Sequence, residues 1–300
     1  MLAVTVLGNN SAIPAFDRHP AAQVVQTHDQ LFLIDCGEGT QSQLIRYKIK
    51  HSKIDHIFIS HLHGDHYFGL IGLLTSMGLL GRKNQLHLYG PQALEDIINL
   101  QLQVADTQLP YTLHFHPLGD ECILFEDKTI IIECIQVFHR IPCWGFLFRE
   151  KKNSRKIDPD KVKHYKVPVS FYNNLQRGED YLNPLHQVIR NEELTSDGQA
   201  PRSYAYCADT IYNAEVARKI KSVNVIYHEA TYLDNLKVKA ASRFHSTSKE
   251  AAMIARDAGA ERLLLGHFSS KYENLEEFEI EARTVFERSE IATEGTTFLI

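Results

Sequence analysis

His61-Leu62-His63-Gly64-Asp65-His66 places three imidazoles and a carboxylate within six positions, directly behind the apolar run Ile54-Asp55-His56-Ile57-Phe58-Ile59. Imidazole with some carboxylate and no thiolate suits zinc and is compatible with manganese or iron. His61 and His63 alternate in an extended segment and point the same way. Asp65 and His66 follow where a turn leads into Tyr67 to Leu80, so one set reaches one ion and the other a second. Four further apolar runs end in the same kind of residue: Ile130 to Phe138 at His139, Ser203 to Ala208 at Asp209, Val223 to Tyr227 at His228, and Arg262 to Gly266 at His267. If these strands share an orientation, five such side chains gather on one rim. A lone histidine at a strand end is usually structural; five ends coinciding with a dense histidine cluster point to a metal centre.

The elements that must position these residues are legible as apolar runs. Strand-like segments fall at 2–7, 22–27, 31–35, 54–60, 85–89, 129–138, 144–149, 202–207, 223–227, 262–266 and 296–300. Pro91 fits the first turn of a helix with Leu94, Ile97 and Ile98 on one face. Thr247-Ser248-Lys249-Glu250 reads as a capping box opening a helix that Gly259 closes. The intervals favour a mixed α/β layered domain spanning 1–300. Residues 150–200 are polar, carry prolines and lack sustained periodicity, which predicts a surface arm inserted into that domain.

Composition excludes several classes. With 300 residues and 44% hydrophobic content the chain can bury a full core. Its first segment reads as a strand rather than a signal peptide, and its longest apolar stretch, Phe68 to Leu80, is too short to cross a bilayer, so a cytoplasmic protein is expected. Five cysteines without a CxxC pair point to reduced thiols. The net charge of -5 advertises no nucleic-acid partner, yet residues 149–166 hold eight Lys/Arg against three acids. Such a run is a solvated loop or a grip on a phosphate backbone.

His61 to His66 matches the HxHxDH motif of the metallo-β-lactamase superfamily, whose fold is a four-layer αββα sandwich. The chain as a whole resembles the ribonuclease Z family of tRNA 3′-processing endonucleases in its short bacterial form. The resemblance runs from Leu7-Gly8 through Leu33-Ile34-Asp35-Cys36-Gly37-Glu38-Gly39-Thr40-Gln41 to His228-Glu229-Ala230-Thr231, His245-Ser246-Thr247 and Gly266-His267-Phe268-Ser269-Ser270-Lys271-Tyr272. It implies two zinc ions per chain, with manganese as a substitute: His61, His63 and His139 on one, Asp65, His66 and His267 on the other, and Asp209 bridging. His228 ends a strand but is not a ligand in that family. Two ions about 3.5–4 Å apart can activate a water and stabilise attacking and leaving oxygens. Asp65 is then also the proton acceptor, and His245 the donor to the departing ribose oxygen. His245 lies two residues before Thr247, where a helix N-terminus disfavours an imidazolium; Glu229 is the carboxylate that would oppose this.

Asp35 either supports a ligand histidine or shapes a turn. Ser246, Thr247, Ser269, Ser270 and Lys271 are candidate phosphate contacts, and Lys151, Lys152, Lys161 and Lys163 candidate contacts from the arm. The sequence departs from the resemblance where Val169-Ser170 stands in place of Gly-Pro in the arm, and where Lys271 replaces arginine and loses its bidentate fork. The expected partners are precursor tRNA and a second copy of the chain, with no membrane and no DNA. The alternatives are a generic metal-dependent phosphodiesterase of the same fold and a non-catalytic RNA-binding member.

Overall fold

The computed structural model describes residues 2–152 and 154–300. Fourteen strands build two seven-stranded sheets. In the first sheet the strands are β1 (Ala3–Gly8), β2 (Ala22–Gln26), β3 (Leu31–Ile34), β4 (Ile54–Phe58), β5 (Leu86–Pro91), β6 (Leu113–Leu118) and, from the chain end, β14 (Thr297–Leu299). The second takes β7 (Ile123–Glu126), β8 (Ile130–Val137), β9 (Cys143–Glu150), β10 (Ser203–Cys207), β11 (Val225–Glu229), β12 (Arg262–Gly266) and β13 (Ser289–Ile291). The orders are β14-β1-β2-β3-β4-β5-β6 and β13-β12-β11-β10-β9-β8-β7.

Aromatic side chains fill the space between the sheets. Phe32 and Phe58 on the first meet Phe146 and Phe148 on the second, with ring centroids 5.3–6.0 Å apart. On the outer face of the first sheet, α1 (Thr40–Arg46), α3 (Leu70–Leu79, after the short α2, Gly64–Tyr67) and α4 (Ala93–Val104) bury Leu44, Leu73, Leu74, Met77, Leu94 and Ile98 against Leu33, Ile57 and Leu88. The second sheet is covered by α7 (Ser248–Ala258), which follows α5 (Ala214–Lys219) and α6 (Lys237–Ser242) and precedes α8 (Glu276–Arg283). Helices outside, sheets inside, is the four-layer αββα sandwich of the metallo-β-lactamase fold.

Strand direction sets where side chains go. β3 to β6 are mutually parallel, and so are β10 to β13. Parallel strands sit covered on both faces, and β10 and β11 are accordingly buried along their whole length. Their carboxyl ends share one edge, the position where open α/β sheets place ligands.

The chain forms two compact units, the smaller comprising Glu126–Ile131 and Arg149–Arg202. This unit has a core of its own, built from Val162, Val167, Leu175, Tyr181, Ile189 and Leu194. Those apolar residues are too scattered to read as a period, which is why the sequence looks irregular there. Asp158 caps the helix Pro159–His164, and Gly178, with φ 95°, closes Tyr172–Arg177. Val169 and Ser170 lie exposed in the intervening turn.

All eleven expected strands are present. β6, β7 and β13 were not anticipated. β6 reads Leu-His-Phe-His-Pro-Leu, and its histidines and Pro117 are tolerated because it is an edge strand. Pro91 closes β5, paired with Leu118, rather than opening α4, which starts at Ala93. The capping box at Thr247 and Glu250 and the left-handed Gly259 cap occur as expected.

Candidate metal centre

The carboxyl edges of the two parallel sets deliver the chemistry. Asp35 follows β3, His61 follows β4, Asp209 follows β10, Glu229 ends β11 and His267 follows β12. His63 precedes α2, Asp65 and His66 lie in it, and His139 stands two residues beyond β8. β11 runs through His228 to Glu229, longer than expected. Because side chains alternate across a strand, the two point to opposite faces. Glu229 reaches the rim, while the His228 ring is buried away from it, donating through Nδ1 to the Glu229 carbonyl at 2.7 Å.

Two sets of candidate ligand atoms converge. In the first, His63 Nδ1 is 3.1 Å from both His61 Nε2 and His139 Nε2, and Asp209 Oδ2 lies 3.6 and 3.9 Å from the latter two. In the second, His267 Nε2 is 3.3 Å from His66 Nε2 and from Asp65 Oδ2, with Asp209 Oδ1 at 3.4 and 3.2 Å from His66 and His267. A tetrahedral ion with bonds of about 2.0–2.1 Å has ligand-to-ligand edges of roughly 3.3 Å. Both sets are of that size. Asp209 is buried, and its Oδ1 finds no hydrogen-bond donor among the described residues. A bare carboxylate oxygen facing imidazole nitrogens is a group that a cation would satisfy. Asp209, His245 and His267 also lie close together, but His245 Nδ1 is taken by Glu229.

The ring nitrogens of His61, His66, His139 and His267 that turn away from the two sets are held. Asp35, buried and left-handed at φ 54°, accepts His66 Nδ1–H at 2.7 Å, the Tyr206 hydroxyl at 2.6 Å and both the amide and hydroxyl of Ser60. His61 Nδ1 faces Ser60 Oγ at 3.0 Å, His139 Nδ1 donates to the Phe244 carbonyl at 2.8 Å, and His267 Nδ1 donates to Thr231 Oγ1 at 3.0 Å. Such bonds fix each ring's tautomer and aim. Asp35 thus braces the ring of His66, a candidate ligand, from the side turned away from the candidate ligand atoms. Asp35→Asn is therefore expected to weaken metal affinity about 10–100-fold, read by competition with a chelator.

Burial together with neighbouring His66 and His139 keeps His61 neutral, the form that binds metal. At Asp65 burial pushes the carboxyl up, but His66 and His267 outweigh it and hold it below the ordinary carboxylate range. Burial opposes the charge of His245 as well. There the Glu229 carboxylate, its Oε1 2.8 Å from Nδ1, wins and raises the imidazole to about 9. Thr231 Oγ1 donates to Glu229 Oε2 at 2.7 Å, so Glu229 is tied both to His245 and, through Thr231, to His267.

Beside these groups lies a 380 Å³ cavity lined by His63, His139, Arg140, Tyr232, Arg243 and His245, with Ser269 and Ser270 on its wall. Ser246 and Thr247, expected as phosphate contacts, are buried instead. Ser246 Oγ donates to the Thr210 carbonyl and Thr247 caps α7, so neither hydroxyl is available. The Lys271 ammonium sits 4.5 Å over the Tyr272 ring. Lys151, Lys152, Lys161 and Lys163 belong to the smaller unit, where Lys151 is paired with Glu126. Sequence reasoning missed Ser60, Thr231, Arg140 and Arg243. Each adjoins a motif histidine or carboxylate within two residues, which is the signal that was available.

Residues 2–152 match the family model described as Anti-Pycsar protein Apyc1. Over its whole length the chain is similar to curated proteins named Ribonuclease Z. It is 42% identical to that of Bacteroides fragilis over 97% of this chain and 96% of the relative, and 40% identical to that of Porphyromonas gingivalis over 97% of each. Among solved structures, human tRNase Z, short form, superposes with TM-score 0.74 at 27% identity over 99% of both chains. The metallo-β-lactamase fold protein YhfI from Bacillus subtilis superposes with TM-score 0.70 at 22% identity over the full length of both, a likeness of fold.

Proposed function

Because this chain belongs to the ribonuclease Z family, and through residues 2–152 to that of the Anti-Pycsar protein Apyc1, we propose a division of labour among its residues for cutting precursor tRNA. It is a metal-dependent endoribonuclease of tRNA 3′ processing. The bond cut joins the 3′ trailer to the tRNA and leaves a 3′-hydroxyl. The observation that carries the division is Asp209, which turns one oxygen to each set of ligand atoms.

On this reading His61, His63, His139 and Asp209 would hold one zinc, and Asp65, His66, His267 and Asp209 a second. The ions would supply Lewis-acid charge and an activated water at the scissile phosphate. Asp65 would be a ligand and, as the sequence suggested, the group that accepts a proton at the scissile phosphate. His245, protonated and facing the cavity, hands a proton to the departing ribose oxygen, and Glu229 keeps it charged and aimed. Arg140, whose Nη2 reaches His63 Nε2 at 3.0 Å, and Arg243 offer charge for the phosphate, beside Ser269 and Ser270. Lys271 is a more distant contact.

Turnover should fall as pH rises through the pKa of His245, since the acid works only when protonated. That value is about 9 without cations, and their charge lowers it. Glu229→Gln removes the carboxylate that raises it, so the alkaline limb of the pH–rate profile should move to lower pH. An unmoved limb would dissociate Glu229 from the acid.

The smaller unit serves as the tRNA-binding arm, with the charge of residues 149–166 gripping phosphates. Replacing Lys151, Lys152, Lys161 and Lys163 with Gln should raise KM for precursor tRNA and flatten its salt dependence, the logarithmic slope falling by up to about one for each phosphate no longer neutralised. Lys151 contributes least because Glu126 engages it. Unchanged tRNA kinetics would make the arm a bystander. The reading extends to a cytoplasmic homodimer, which sedimentation of the purified protein tests. No helix among the described residues is long and apolar enough to cross a membrane.

A further inference from the structure

A second cavity, of 470 Å³, adjoins the one described above and shares His139 and Arg140 with it; Phe138, Trp144, Ile211 and Phe244 supply its apolar wall. We propose that this cavity is a nucleobase subsite, with the exposed ring of Phe244 as its stacking platform for an unpaired nucleotide next to the scissile phosphate. The inference rests on the endoribonuclease reading and adds a recognition element to it.

Phe244 occupies a place that does not suit it. α6 ends at Ser242, and Phe244 follows with φ 58°. Its N–H donates to the Ala241 carbonyl at 3.1 Å, and the N–H of His245 to the Ala240 carbonyl at 2.9 Å. This bond pair is the Schellman termination, whose left-handed residue is usually glycine. A side chain there costs about 1–2 kcal/mol, and a bulky one is an outlier. Phe244 is 40% exposed, so burial offsets that cost only in part and leaves a face of the residue open to solvent. The carbonyl that orients His139 would come equally well from glycine. Backbone geometry thus accounts for the turn and leaves the ring unexplained.

What surrounds the ring supplies a use for it. The ligand His139 and the neighbouring Arg140 lie on both cavities, so a phosphate held over the metal centre has its attached nucleoside within reach of this wall. Strained backbone that persists beside a reaction centre is where a functional side chain is expected. Unpaired bases stack on aromatic faces for about 1–3 kcal/mol each, with little regard to sequence.

The test uses the full-length, metal-loaded protein, precursor tRNA, and two precursor tRNAs carrying a single abasic nucleotide, one on each side of the scissile phosphate. Phe244→Gly should leave thermal stability near that of the wild type, since relief of the left-handed strain offsets the lost burial, while raising KM for precursor tRNA about tenfold. Phe244→Tyr should restore KM. One of the two abasic substrates should cost the wild type the same factor and cost Phe244→Gly nothing further, and that substrate identifies the base. Equal abasic sensitivity in wild type and Phe244→Gly would overturn the subsite, as would a lower melting temperature in Phe244→Gly accompanied by loss of metal. A wild type that leaves precursor tRNA intact would overturn the endoribonuclease reading itself.

Discussion

Asp209→Ala is expected to abolish turnover on precursor tRNA and on bis(p-nitrophenyl) phosphate alike, by about 10³-fold or more, and to lower metal content below that of the wild type. The reason is geometric. Asp209 Oδ2 lies among the atoms of His61, His63 and His139, and Oδ1 beside those of His66 and His267. Among the described residues no other carboxylate approaches both sets. Asp209→Asn should do nearly as badly, because one end of an amide is a donor and would turn N–H toward imidazole nitrogens that are themselves offered to a cation. The side chain is buried at the ends of strands that hold the core, so circular dichroism must show both variants folded before their activity is read. An Asn variant with full metal and full turnover would remove Asp209 from the centre.

His245→Ala should behave differently. Its Nδ1 is bonded to Glu229 and belongs to neither of the two ligand sets, so metal content should hold while kcat on precursor tRNA falls about 10²- to 10⁴-fold. The leaving group separates a proton donor from a structural residue. A ribose oxygen departs poorly without a proton, whereas p-nitrophenolate leaves readily without one. Hydrolysis of bis(p-nitrophenyl) phosphate should therefore suffer far less than tRNA cleavage in the same variant. Equal losses on the two substrates would mean that His245 holds the site together and donates nothing.

Much of this was legible because it is local. His61 to His66 declares itself by density, and β4, β8, β10 and β12 by apolar runs that stop at a histidine or aspartate. The capping box at Thr247 is a four-residue pattern with one geometric meaning. What the sequence concealed depends on direction and distance. It could not say that β11 continues to Glu229, and that one residue decides which of His228 and Glu229 faces the rim. Nor could spacing show that Asp35 and Ser60, far apart in the chain, meet on the back of His66. Ser246 and Thr247 looked like phosphate contacts because they follow His245, but the same helix start that makes Thr247 a cap buries both hydroxyls. The core of the smaller unit escaped notice because six apolar residues spread over more than thirty positions carry no period.

The most direct test of tRNA 3′ processing by this metal centre is to incubate protein of known metal content with end-labelled precursor tRNA bearing a 3′ trailer, map the product ends, and repeat after chelation and with Asp65→Ala. One cut at the junction of tRNA and trailer is expected, with a free 3′-hydroxyl on the tRNA, and that cut should be lost both in the chelated protein and in the variant. Intact precursor tRNA alongside brisk hydrolysis of bis(p-nitrophenyl) phosphate would contradict it, leaving a metal phosphodiesterase whose substrate is something other than tRNA.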